Sequence, residues 1–240
     1  MLVLRRQASV PLVRKFLDDC DLPQPPGAEV EAPFAAWDSS WLPRPRVLAG
    51  EAVGLFDHLA GMAGKTAWLE KTPDHLTWWR AFAAVAPDIH FVHIQREPEA
   101  AIASFFKAAE GWTGATTDLA AISRKWNSAL ERSLACIGRP HHVFVSYESL
   151  VDAPHEIAEA IAAGVGLSPV PGFSLDYERV ARRVVLARET HKARNVGGIS
   201  RTPSGFDSLT VAQQNTVKGT VKRSLYDAFV RSETFAGLSG

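Results

Sequence analysis

Apolar runs of strand length that alternate with helical segments constrain the fold of this chain more than any other feature. Residues 89–94 form one such run and residues 142–145 form another. Between them, residues 99–109 and 118–137 repeat their apolar positions with helical spacing, and residues 154–165 follow as a further helix. Strands separated by helices pair in parallel and are covered on both faces. The sequence therefore predicts an α/β fold with three layers, α/β/α, around a central parallel sheet.

The beginning of the chain extends this pattern. Residues 1–4 are apolar, residues 5–9 form a polar turn with two arginines, and Pro11 opens an amphipathic segment. A strand, a basic loop and a helix in this order give a P-loop-like opening. Other predicted elements are a proline-rich loop at 22–45, helices at 47–62, 75–85 and 211–231, and a short strand at 66–69. At 240 residues, we expect one domain that spans 1–240.

The charges of the chain balance. Its 26 basic and 26 acidic residues give a formal net charge of zero. A global positive excess, which drives nonspecific binding to nucleic acid or to membranes, is excluded, so an anion site must be local. No stretch of the sequence has the length and apolar character of a membrane span or of a secretory leader. We expect a cytoplasmic protein.

The cysteines and histidines follow no metal-binding motif. Cys20 and Cys136 are far apart, which favours free thiols in a reducing compartment. The eight histidines are scattered, and the adjacent pair His141 and His142 cannot share a strand face. Neither H-E-x-x-H nor G-x-S-x-G occurs. The sequence predicts neither a metal site nor a serine-hydrolase triad.

The most informative motif follows the strand at 89–94. Arg96 lies at the carboxyl end of that strand, where ligands bind in open parallel sheets, and Ser104 lies two turns into the next helix. A guanidinium fork and a hydroxyl that converge on one point would hold a phosphate monoester. In the alternative interpretation, Arg96 pairs with Glu97 or Glu99 and Ser104 faces solvent. The pattern alone leaves both interpretations open.

Several motifs together resemble those of the 3'-phosphoadenosine 5'-phosphosulfate (PAPS)-dependent sulfotransferases. Arg96 to Ser104 is similar to the family pattern R-[DE]-P-x-[DE]-x-x-x-S, with its second acidic position relaxed. Residues 70–73 match the E-K-T-P element, and residues 145–151 are similar to V-x-Y-E-D-L-V. Residues 125–129 resemble the K-W-N-x-A of the tyrosylprotein branch. Motifs in the right order and spacing are specific, whereas each alone is weak.

The resemblance implies a sulfotransferase fold that binds PAPS and its product PAP, with Arg96 and Ser104 on the 3'-phosphate. It places Lys71 near the bridging oxygen of the leaving group, where an ammonium would neutralise developing charge. A surface pair between Lys71 and Glu70 is the structural alternative. Tyr147 would lie near the cofactor base, or would anchor strand to helix through Glu148.

The first loop departs from the family pattern. The family reads R-S-G-T-T after its first strand, where glycine and hydroxyls surround the 5'-phosphosulfate. This chain has Arg6, Gln7, Ala8 and Ser9, so alanine replaces the glycine. Alanine is costly where the backbone needs positive φ. The loop is therefore either remodelled or supports weak or no transfer.

The resemblance also implies a general base and a closing segment. For the base, Glu29 and Glu31 lie at the distance seen in the tyrosylprotein branch, and His75 is the other candidate. The basic residues Lys192, Arg194 and Arg201 fall in a glycine-bearing stretch that would close over the 3'-phosphate as a lid. Solvated loops are the alternative for each of these positions.

The predicted function is transfer of a sulfuryl group from PAPS to a hydroxyl on a small molecule, a glycan or a peptide. A second hypothesis is a non-catalytic protein of the same fold that binds a nucleotide or a partner, motivated by Ala8. A P-loop kinase is a third, disfavoured because G-x-x-x-x-G-K-[ST] is absent. The sequence determines neither the acceptor nor the oligomeric state.

Overall fold

The computed structural model describes residues 45–71, 76–111, 115–167 and 204–235. These residues divide at Ile89 and His90 into two compact units. The predicted elements before residue 45, including the P-loop-like opening and the proline-rich loop, lie outside the described residues. Among the described residues, no helix is both long and apolar enough to cross a membrane.

The first unit contains two helices that pack on each other, α1 (Pro45–Met62) and α2 (Trp79–Val85). Ala49 and Leu55 of α1 and Phe82 of α2 are buried. The predicted helix at 75–85 is shorter than expected, because residues 76–77 form a 3-10 turn before Trp79.

The predicted strand at 66–69 is wrong. Those residues have no regular secondary structure. Gly64, at φ +63°, ends α1, and the N–H of Lys65 donates to the carbonyl of Ala60 at 2.8 Å, as in a Schellman cap. Trp68 Nε1 then donates to Asp57 Oδ1 at 2.7 Å. The cap and this contact fold the segment back along α1.

The second unit contains two parallel strands, β1 (Phe91–Gln95) and β2 (His142–Ser146). Phe91 lies opposite His142, and Gln95 lies opposite Ser146. The crossover between the strands consists of two helices, α3 (Pro98–Ala109) and α4 (Leu119–Leu134). The helices α5 (Tyr147–Asp152), α6 (Pro154–Gly164), α7 (Val211–Thr220) and α8 (Arg223–Arg231) follow, with a 3-10 turn at Gly205–Ser208. This alternation confirms the predicted α/β class.

Local chemistry explains the helix starts in the crossover. Pro98 is the first residue of α3, where its fixed φ suits a helix and its missing N–H costs nothing. Asp118 precedes α4 and accepts the N–H of Ala120 at 2.9 Å. Ile122 and Leu130 of α4 are buried at helical spacing. Each helix therefore begins at a residue suited to that place, and α4 turns its apolar face inward.

Apolar clusters stabilise the second unit, among them the following two. One joins α3 and α4 to the C-terminal segment; its buried residues are Ile102, Ala103, Leu119, Ile122, Phe206, Leu209 and Val217. The other lies between β2 and α6, where Val143, Val145 and Ile157 are buried. Full burial of one such large side chain contributes roughly 1.5–3 kcal/mol.

The predicted helix at 211–231 is two helices. Val221 is extended, with ψ 133°, and ends α7 before α8 begins at Arg223. At the break, Asn127 of α4 donates from Nδ2 to the Thr220 carbonyl at 2.9 Å and accepts the Lys222 N–H at 3.0 Å. A side chain from another helix thus takes over backbone groups that a continuous helix would pair.

Candidate functional site

Arg96 and Tyr147 follow directly after the last paired residues of β1 and β2. Because the strands are parallel and Gln95 lies opposite Ser146, both side chains leave the sheet at its carboxyl edge. The guanidinium carbon of Arg96 lies 4.8 Å from the centre of the Tyr147 ring. This is a cation–π contact between two residues of half-buried position. The structure therefore brings two of the sequence-predicted cofactor residues together.

Glu148 links the same edge to α8. Its carboxylate accepts the N–H of Glu97 at 3.1 Å and the hydroxyl of Tyr226. Burial, and then the Glu148 carboxylate, raise the pKa of Tyr226 well above its ordinary value, so the phenol stays protonated and donates. Glu148 therefore anchors this edge of the sheet to α8. Tyr147 itself contacts the guanidinium of Arg96.

The two acidic residues after Arg96 have another basic partner. Arg223 Nη1 lies 3.0 Å from Glu97 Oε1 and 2.8 Å from Glu99 Oε2. The exposed fraction of the Arg223 side chain is 48%, so each pair contributes little stability. Arg223 instead holds the carboxylates of Glu97 and Glu99 beside α8.

Ser104 lies on the exposed side of α3. Its neighbours Ile102 and Ala103 are buried, whereas Ser104 is exposed. At 1.5 Å per residue, it lies about 9 Å along the helix axis from Pro98. The hydroxyl is therefore accessible on the helix that begins beside Arg96.

Lys71 is described within the first unit. It is exposed and lines an open hollow of about 350 Å³ together with Lys65, over an apolar floor that includes Phe56, Leu59 and Trp68. The rings of Phe56 and Trp68 lie 5.0 Å apart and stiffen this floor. Glu70 also lines the hollow, so its two lysines exceed its acidic residues by one, a small positive excess.

The remaining sequence-predicted site residues lie outside the described residues. They are the first-loop residues Arg6, Gln7, Ala8 and Ser9, the candidate bases Glu29, Glu31 and His75, and the lid residues Lys192, Arg194 and Arg201. The chain after this basic stretch is described from Ser204, and its Phe206 is buried against α3.

The sequence analysis did not predict that side chains of α8 contact the edge of the sheet. Arg223 and Tyr226 contact the strand edge through Glu97, Glu99 and Glu148. The segment 211–231 was predicted as one helix, and no local motif marks which of its residues reach β1 or β2. Their amphipathic spacing was the available signal.

Comparison with known protein families matches residues 33–171 to the sulfotransferase family. The matched segment includes Lys71, Arg96, Ser104 and Tyr147, and it covers more than half of the chain. Searches of curated proteins and of solved structures find no match. Because the family match covers more than half of the chain and contains both crossover helices and both described strands, the chain belongs to the sulfotransferase family.

Proposed function

We propose that the protein transfers the sulfuryl group of PAPS to a hydroxyl acceptor and that Arg96 binds the 3'-phosphate of this donor. One observation carries the proposal. In a chain of the sulfotransferase family, an arginine at the carboxyl end of β1 packs on an aromatic ring at the carboxyl end of β2. Ligands of open parallel sheets bind at this edge.

The contact with Tyr147 suits Arg96 for phosphate. The guanidinium carbon lies over the ring, 4.8 Å from its centre, and the N–H donors of a guanidinium form a planar fork. Holding the guanidinium in place lowers the entropy that is lost when the fork binds a phosphate bidentately. Because Arg223 binds the carboxylates of Glu97 and Glu99, these two acids have a cation other than Arg96 to pair with.

Ser104 would add a neutral donor from α3. Its hydroxyl is exposed on the helix that starts two residues after Arg96, and it would bind the same phosphate beside the guanidinium. The lid residues Lys192, Arg194 and Arg201 would add charge at this phosphate, and the loop of Arg6, Gln7, Ala8 and Ser9 would bind the 5' side.

The chemistry requires one bond to form and one to break at sulfur. The acceptor oxygen bonds to sulfur as the bond from sulfur to the bridging phosphate oxygen breaks, so negative charge develops on the leaving oxygen. Lys71 would stabilise this charge through its ammonium. Glu29, Glu31 or His75 would take the proton of the acceptor hydroxyl. The product would be PAP and a sulfate ester, formed in the cytoplasm.

Binding of PAP tests the assignment of Arg96. We expect Arg96→Ala to weaken the affinity for adenosine 3',5'-bisphosphate roughly 10- to 100-fold in calorimetry, as for loss of charged hydrogen bonds. Arg96→Lys, which keeps the charge but loses the fork, should fall in between. Arg124→Ala, at an exposed arginine of the same unit, is the matched control. Equal affinities in all four proteins would overturn the assignment.

Transfer of labelled sulfate tests the reaction. With labelled PAPS and a panel of alcohols, phenols, sugars and tyrosine peptides, we expect a sulfate ester whose rate of formation falls about 100-fold or more in Lys71→Ala. Lys218→Ala, at an exposed lysine of α7 outside this hollow, is the matched control. Tight PAP binding without transfer to any acceptor would favour the non-catalytic alternative that Ala8 motivates.

A further inference from the structure

Three side chains that bind metals well meet away from the strand ends that carry Arg96 and Tyr147. His93 is the central residue of β1, His142 is the first residue of β2, and Cys136 lies in the turn after α4. Their ligand atoms, a nitrogen of each imidazole and the Cys136 Sγ, all lie within 4.8 Å of one another. The chain thus brings together two nitrogens and one sulfur from three separate elements.

The cluster is held in place by its surroundings. The His93 ring packs between the rings of His142 and Phe144, with centroid distances of 5.2 Å and 4.7 Å. His93 Nε2 lies 2.9 Å from His142 Nδ1, and His93 Nδ1 lies 3.1 Å from the Oγ of the buried Ser133. Cys136 is fully buried. Such packing brings the three ligand atoms close together before a metal binds.

The contact with Ser133 also orients His93. Metal-binding histidines usually donate one ring N–H to an oxygen acceptor and bind the metal through the other nitrogen. When His93 Nδ1–H donates to Ser133 Oγ, the Nε2 lone pair faces His142.

The loop before β2 positions the His142 side chain. Gly138 and His141 have positive φ values of 74° and 64°, and the carbonyl of His141 accepts the N–H of Phe91 at 2.8 Å. A left-handed backbone at a residue other than glycine persists where the surroundings require it. This turn places His142 against His93 and leaves it half-buried, so a cation can approach from its side.

We propose that His93, Cys136 and His142 bind one Zn²⁺ ion. Two imidazoles and a thiolate form a borderline-soft ligand set that suits zinc, with a solvent molecule completing a tetrahedral shell. Two nitrogens of such a shell lie about 3.3 Å apart, given Zn–N distances of about 2.0 Å. The 2.9 Å pair therefore widens by about 0.4 Å at the half-buried His142. The Cys136 sulfur, within 4.8 Å of both nitrogens, comes to about 3.5 Å from each of them, given a Zn–S distance of about 2.3 Å.

Binding of Zn²⁺ in this site releases one proton. The Cys136 thiol releases its proton to solvent as its sulfur bonds to the metal. His142 shifts its remaining proton from Nδ1 to Nε2, so its charge stays unchanged. The ion neither enters the sulfuryl reaction nor contacts Arg96 in this scheme, and it would cross-link β1, β2 and the end of α4.

Cobalt substitution tests the site on untagged, chelator-stripped protein. Co²⁺ bound by a thiolate shows a sulfur-to-metal charge-transfer band, and a tetrahedral site gives intense visible bands. We expect both bands to saturate at one Co²⁺ per chain and to disappear on addition of one equivalent of Zn²⁺. The absence of a thiolate band in the stripped wild-type protein would overturn the proposal.

Variants identify the ligands. We expect Cys136→Ser to remove the thiolate band, whereas Cys20→Ser, at the other cysteine of the chain, should keep it. His142→Gln, a change at a half-buried position, should weaken Zn²⁺ binding about tenfold or more in calorimetry, whereas His155→Gln at an exposed histidine should not. Circular dichroism of each variant separates loss of a ligand from loss of the fold. A folded Cys136→Ser protein that retains the band, or a folded His142→Gln protein with wild-type affinity, would contradict the assignment.

Discussion

Single side chains connect parts of this fold that are far apart in sequence, and Asn127 shows how. The motif K-W-N-x-A at 125–129 was recognised by resemblance, without a role for its asparagine. The structure shows that the buried Asn127 amide binds the carbonyl of Thr220 and the N–H of Lys222. Sequence spacing cannot predict this contact, because its partners lie more than 90 residues away.

Asn127→Ala should lower the free energy of unfolding by about 2–4 kcal/mol. The change leaves two backbone groups at the helix break without their side-chain partner, at about 1–3 kcal/mol each when they stay buried. Urea denaturation followed by circular dichroism measures the effect. Asn215→Ala, at an exposed asparagine in α7, is the control and should change the stability by less than about 0.5 kcal/mol. Equal effects of the two substitutions would contradict this role of Asn127.

The same limit applies at the strand ends. Arg96 was predicted as a cofactor residue from its place after an apolar run, and Tyr147 from the family resemblance. The structure shows that the two are in contact, which the sequence analysis did not predict. Arg223, which pairs with Glu97 and Glu99, could not be identified, because nothing near residue 223 refers to residues 97 and 99.

At the scale of elements, prediction succeeded where periodicity and capping agree. The strands at 91–95 and 142–146 and the helices at 98–109, 119–134 and 154–164 lie within a few residues of their predicted bounds. The strand predicted at 66–69 failed because short apolar runs carry little information, and here Trp68 packs on α1 instead. The helix at 211–231 is divided by a tertiary contact that its own periodicity does not show.

The start of α7 rests on a capping box. Thr210 Oγ1 accepts the N–H of Gln213, and the Gln213 side chain accepts the N–H of Thr210. Thr210→Ala should therefore lower the free energy of unfolding by about 1 kcal/mol in the same denaturation assay. Thr216→Ala, in the middle of the exposed face of α7, should be neutral or stabilising, since alanine is the better helix former. A neutral Thr210→Ala would show that the box contributes nothing to stability.

At the scale of the whole molecule, motif order predicted the family, and the alternation of strands and helices predicted the α/β class. The sequence did not predict how the described residues divide into compact units. The structure describes two compact units, and the sequence predicts one domain over 1–240. Composition gives the size of a core but does not show which residues contribute to it.

If residues 1–240 form one domain, the protein should unfold in one cooperative transition. Tryptophan fluorescence, to which Trp68 and Trp79 of the first unit and Trp126 of the second contribute, should change at the same temperature as the far-ultraviolet dichroism of the helices. Saturating adenosine 3',5'-bisphosphate should raise both midpoints together, because it binds the folded state. Two separate midpoints would contradict the single-domain prediction.

The segment after α8 runs beside β2. Thr234 exchanges two hydrogen bonds with Phe144, through its own N–H and its hydroxyl, and the Glu233 carboxylate accepts the N–H of Ser146 at 2.7 Å. Exposed strand borders are templates on which other chains add and aggregate. By occupying these amide and carbonyl groups with two residues, one of them negatively charged, the folded polypeptide shields this border from recruitment into intermolecular sheets.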